Sequence, residues 1–123
     1  MMAYYHFTRP GYVESILAEG INRGEVPLSP TNIYNAAWLT DDPNPRRQQW
    51  IYGTDKGAVR MTIELPDGEA DPLLETWMGL AERMGVEDWW MEALNSAGGH
   101  SQERWYVYDG VIDPEWITKV ELL

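Results

Sequence analysis

Three short stretches carry side chains that could do chemistry together: "YYHFTR" around His6, "AAWLTDDP" around Trp38, and "SQERWYVYDG" around Glu103. A neutral imidazole offers one donor and one acceptor, a match for a sugar diol. An indole presents a flat face on which another ring can stack. A carboxylate in a dry site stabilises positive charge that develops on a sugar when a glycosidic bond breaks. Arg9, the last residue of the first stretch, could offset the charge of a phosphate. Each residue also has a plainer reading: His6 as a satisfied core or surface histidine, Trp38 as core, Glu103 as a solvated residue where a strand begins. Their order along the chain, with Thr8 and Thr40 beside them, is what makes the chemical reading worth following.

Simpler constellations fail. The chain has no Gly-rich phosphate loop. It has no cysteine, so disulfides, zinc–thiolate sites and cysteine nucleophiles are excluded and a cytoplasmic setting is expected. A metal site would need His6, His100 and carboxylates brought together. "HSQE" spaces His100 and Glu103 to share a face only on a helix, and the glycines before it argue against one. No serine stands in a nucleophile-elbow context.

The three stretches resemble the diphtheria-toxin-like branch of the ADP-ribosyltransferase superfamily. The likeness covers the first 42 residues well and the last 25 moderately. It implies an NAD site in which His6 holds the adenosine ribose, Trp38 lies near the nicotinamide, and Glu103 bonds the nicotinamide ribose and acts in catalysis. Thr8, Arg9 and Thr40 join the binding set. Gln49 falls closest to the family's second nicotinamide-facing tyrosine, with Trp50 and Tyr52 beside it, and Trp50 is the expected aromatic. Phe7 replaces a glycine common between the histidine and the threonine. Ser101 replaces the acid or amide that sets acceptor choice in some members, so no acceptor carries over. The implied function is a mono-ADP-ribosyltransferase that releases nicotinamide and modifies a macromolecule, with protein the expected acceptor. The alternative is a non-catalytic, acidic protein-binding module on the same fold, with "EDWWMEAL" as its docking patch.

The chain's totals set bounds. Its 123 residues suit one domain spanning 1–123, and 44% hydrophobic content suits a packed core. A net charge of −11 repels phosphate backbones and argues against general nucleic-acid binding. It leaves room for a small anion in a local basic pocket built from Arg9, Arg23, Arg46, Arg47 or Arg60. No apolar run is long enough to cross a membrane, and no secretory leader is expected.

The elements that must position these residues follow from periodicity. Residues 3–7 read as strand. Thr8 and Pro10 open a helix whose apolar positions are Val13, Ile16, Leu17 and Ile21, and Gly20 stops it. Residues 22–35, rich in Gly, Pro and Asn, read as loop. Strand is expected at 36–40, and "RRQQWIYGT" reads as a short helix or turn. "AVRMTIEL" alternates as a half-buried strand. Helices are expected at 73–84 and 87–95, the first with a stripe of Leu74, Trp77, Met78, Ala81 and Met84. "SAGGHSQE" reads as a flexible connection. "RWYVYDG" and "ITKVELL" close the chain as strands, with Asp113 capping a turn between them. The fold class is α+β: two small antiparallel-rich sheets around a cleft, with flanking helices outside.

Overall fold

The alternation in "AVRMTIEL" makes a strand with one fully buried face. In the computed structural model, which describes residues 3–22, 24–44, 58–66, 73–97 and 102–123, strand β5 spans Val59–Glu64. Its Val59, Met61 and Ile63 are fully buried. Burial of such side chains contributes about 1.5–3 kcal/mol each. Arg60 and Thr62 point the other way. Arg60 pairs with Glu121 at 3.0 Å and donates to the Pro43 carbonyl at 2.8 Å, so it serves the sheet and not an anion pocket.

A six-stranded sheet holds β5 second from one edge. Its other strands are β1 (Ala3–Thr8), β4 (Ala37–Thr40), β6 (Leu74–Thr76), β7 (Trp105–Tyr108) and β8 (Ile117–Leu122), in the order β6-β7-β4-β1-β5-β8. All of these pairings are antiparallel. A separate hairpin joins β2 (Glu25–Ser29) to β3 (Asn32–Asn35). The helices are α1 (Val13–Glu19), α2 (Trp77–Met84) and α3 (Asp88–Ala97). The α+β class therefore holds, with one six-stranded sheet and one two-stranded hairpin in place of two small sheets.

Alternation along β4 and β7 gives the sheet a core on each face. Ala37, Leu39 and Tyr108 join Tyr4, Ile16, Met61 and Ile63 in one cluster. Trp105 and Val107 join Val26, Leu28, Trp77 and Leu80 in the other, with Trp38 against it. The hairpin covers this second face. It lies in the segment expected to be loop, because its breakers Pro27, Pro30 and Asn32 mask the alternation of buried Val26 and Leu28. Pro27 is tolerated because a two-stranded hairpin leaves each strand with a free edge.

The other differences are local. Thr8 ends β1 and does not cap α1; the first turn after it is a 3₁₀ turn at Pro10–Tyr12, and Leu17 is exposed. Residues 74–76 pair with β7 because the edge of β7 is open to them, and Thr76 then caps α2 by accepting from the Gly79 amide at 3.1 Å. The buried face of α2 is Trp77, Leu80 and Ala81, while Met78 and Met84 are exposed. The helix or turn expected in "RRQQWIYGT" and residues 98–101 of the connection expected in "SAGGHSQE" lie outside the described residues; Ser96 and Ala97 belong to α3, and Gln102 and Glu103 to a 3₁₀ turn. Among the described residues, no helix is long and apolar enough to cross a membrane.

Gly20 closes α1 where the chain turns back toward the core. Its φ is +85°, and a Cβ there would lie 2.3 Å from the Ile112 carbonyl oxygen. That carbonyl accepts from the Ile21 amide at 3.0 Å, and the Ile112 amide donates back at 3.0 Å. Gly85, after α2, has φ +70° but nothing within 4 Å of the same position. Gly85→Ala should cost about 1–2 kcal/mol, the left-handed strain alone. Gly20→Ala should cost more, since the clash adds to the strain. Urea unfolding of the two variants checks the order; equal losses would refute the close approach.

Candidate functional site

Strands β1 and β4 lie side by side but pair at only one register position, Tyr5 with Thr40. On its other side β1 pairs with β5 from Ala3 to Thr8 without interruption. Past Tyr5, β1 and β4 separate, and a side chain bridges the gap: His6 Nδ1 lies 2.9 Å from the Trp38 carbonyl oxygen. A carbonyl can only accept, so Nδ1 carries the proton. In the neutral ring, Nε2 is then left as an acceptor. Burial pushes the His6 pKa below its ordinary value, and the bond to Trp38 only partly opposes that shift.

The separation opens a cleft of about 930 Å³. That volume suits a ligand of nucleotide size or larger. Of the residues singled out from sequence, His6, Thr8, Arg9, Trp38 and Thr40 line it. Among the described residues of the lining, Arg9 is the only basic side chain, and Glu19 and Glu25 are the carboxylates.

Trp38 is held from several sides. Its Nε1 donates to the Glu25 carbonyl at 2.7 Å. Its ring meets Trp77 at 5.3 Å and Trp105 at 5.5 Å between centroids, tilted and edge-on. Such aromatic contacts contribute about 0.5–1.5 kcal/mol each beyond burial. The indole is thus a fixed, half-buried wall that offers a ligand its ring and not its N–H. Thr40 is buried, and its hydroxyl oxygen accepts from the Asp42 amide at 3.1 Å. Asp42 in turn accepts from the Asn44 amide at 3.0 Å. The acidic turn after β4 is therefore built by Thr40 and Asp42.

Glu103 sits apart from these residues. It lies in a 3₁₀ turn at Gln102–Arg104, is exposed, and is not among the described lining of the cleft. Its neighbour Arg104 clamps this turn to the end of β4. The guanidinium reaches Asp41 at 2.6 Å and buried Asp42 at 3.2 Å, and the Arg104 carbonyl accepts from the Asp41 amide at 3.4 Å. Two residues after Glu103, Trp105 pairs with Thr40 and lines the cleft. Glu103 thus precedes a cleft-lining strand without itself facing the described cleft. Trp50, Tyr52, His100, Ser101, Arg23, Arg46 and Arg47 lie outside the described residues. Among the described residues, no group of three His, Asp or Glu side chains could hold a metal ion.

The sequence reading missed one wall of the cleft. Tyr12, Ser15 and Glu19 line it from α1 and the turn before it. They recur three and four residues apart, the spacing of one helical face. The apolar stripe of α1 marks its core side, and this polar face runs beside it. Trp105 and Tyr5 also line the cleft, and they are neighbours of Thr40 across the sheet.

No family model matches the sequence, no curated protein matches it, and no solved structure matches it.

The state of His6 is measurable. With its folded pKa below 6.5, the unfolded chain takes up a proton that the folded chain refuses as pH falls. This part of the stability is present above that pH and is lost below it. Urea midpoints should therefore fall between about pH 7 and about pH 5.5, and His6→Gln should show a shallower fall. Parallel profiles for the two proteins would contradict a half-buried imidazole held neutral.

Proposed function

We propose that the cleft binds NAD and that the domain transfers the ADP-ribosyl group to a macromolecular acceptor, releasing nicotinamide. One observation carries the reading. Residues from two remote segments, His6, Thr8 and Arg9 from one and Trp38 and Thr40 from the other, line a single large cleft where β1 leaves β4. Their types suit the ligand. The acceptor nitrogen of His6 accepts a hydrogen bond from a ribose hydroxyl. The Trp38 ring offers an apolar wall to a planar base. Arg9 offsets pyrophosphate charge.

In the proposed reaction the bond between C1 of the ribose and the pyridinium nitrogen breaks. Nicotinamide leaves as a neutral molecule with the bonding pair. Positive charge develops on the sugar, and the Glu103 carboxylate stabilises it. A nucleophile on the acceptor donates its lone pair to C1 and loses a proton to solvent or to a carboxylate. Stabilisation of this kind is strongest where water is excluded. Glu103 therefore has to turn from the rim toward the cleft once NAD is seated.

The exposure of Glu103 outside the described lining favours a second reading, a non-catalytic module that uses the same domain to bind a protein. Nicotinamide release separates the two. The wild type should release nicotinamide slowly from NAD, and Glu103→Gln should lower the rate by about 10²–10³-fold while NAD still binds. His6→Ala should weaken NAD binding itself. Equal release by wild type and Glu103→Gln would exclude the proposed role of Glu103, and no NAD binding at millimolar concentration would leave only the second reading.

A further inference from the structure

Among the described tryptophans, Trp89 alone is exposed, at 57%. It stands on the outer face of α3 with Asp88, Glu92, Ala93 and Ser96, all exposed, while Trp90, Met91 and Leu94 turn inward. Its indole N–H donates to the Glu87 carboxylate, and its ring meets Trp90 edge-on at 5.7 Å. The ring is thereby held in one orientation. Ala93, one turn further along the helix, is too small to cover it. Met84, at the end of α2, is exposed at 42% close by in the chain. Helix stabilisation accounts for Glu87 and Asp88, since acids at a first turn complement the helix dipole. It does not account for a fixed, uncovered indole. Nor does Arg83 neutralise this face, because it is engaged by Glu75 at 2.8 Å.

We infer that this face of α3 is a docking surface for an arginine-bearing polypeptide segment. The charge complementarity is specific in kind. A guanidinium is planar and weakly hydrated, so it stacks on an indole face while its N–H groups pair with carboxylates at the rim. Glu87, Asp88 and Glu92 are those carboxylates. A second copy of this chain is a poor occupant, since the like charge of two molecules at −11 opposes it. The helix also borders the cleft. Leu94 lines it, and Trp90 Nε1 donates at 2.8 Å to the carbonyl of Pro27, another lining residue. A segment docked on the outer face of α3 and continuing round the helix past Leu94 would reach the cleft and would be the acceptor. That last step rests on the proposed function; the docking does not.

Calorimetric titration without NAD tests the docking. The probes are a short peptide of spaced arginines and matched peptides carrying lysine or glutamate in their place. The arginine peptide should bind, more weakly as salt rises, more tightly than the lysine peptide, and the glutamate peptide should not bind. Trp89→Ala should weaken binding about tenfold. Glu92→Gln should weaken it severalfold, and Glu14→Gln on exposed α1 should leave it unchanged. Trp89 is exposed, so its truncation should leave the melting temperature in place, and a melt confirms that the variant is folded. No heat at millimolar peptide overturns the inference. So does equal weakening by Glu14→Gln, which would mean net charge alone. Concentration-dependent dimers that Trp89→Ala abolishes would make a second copy the occupant, and they overturn it as well. Failure here with intact nicotinamide release would leave the proposed function standing, and the converse holds too.

Discussion

The hydrogen bond from His6 Nδ1 to the Trp38 carbonyl decides how the rest of the cleft is built. Two neighbouring strands that part company leave backbone groups without ladder partners, and a buried carbonyl without a partner costs about 1–3 kcal/mol. The imidazole supplies the missing donor. It lets β1 and β4 remain neighbours while only Tyr5 and Thr40 pair. The same bond selects the tautomer, so the nitrogen left over is an acceptor. The backbone contact alone gives a reason for a histidine beside the aromatic residues of β1.

A second constraint comes from charge. The chain carries −11 overall, yet its described ion pairs concentrate where strands must be held together. Arg60 ties β5 to β8 through Glu121, and Arg104 ties the end of β4 to the start of β7 through Asp41 and Asp42. Half-exposed pairs of this sort contribute modestly to stability. Their geometric effect is larger. The Arg104 clamp sets where the chain enters β7, and so where Glu103 stands and where Trp105 meets Thr40. Arg9 is the arginine of the described cleft lining.

Parts of the fold were legible because their periodicity is undiluted. Val59, Met61, Ile63 and Leu65 alternate without exception, and all are buried. Gly20 ends α1 at a positive φ, as a glycine after a helical pattern suggests. The Asp113 cap also appears, with its carboxylate accepting from the Glu115 amide at 2.9 Å. The β2–β3 hairpin was illegible because prolines and asparagines dominate its composition, although Val26 and Leu28 carry its buried face. Residues 74–76 were read as helix because their apolar spacing continues that of α2. Only the open edge of β7 makes them a strand.

The grouping of His6, Trp38 and their threonines at one site could be suspected from residue order, but order says nothing of side-chain direction. Local pattern determined the residue types, the strands that carry them, the acidic surface and the stop after α1. These depend on neighbours a few positions away. Tertiary structure alone decided that β1 and β4 separate, that α1 turns a polar face into the gap, that Glu103 lies outside the described lining, and that Trp89 is left uncovered. Those outcomes depend on which distant strands win the available hydrogen-bonding edges and which apolar faces then have to be covered. Residue spacing along a chain does not encode that competition.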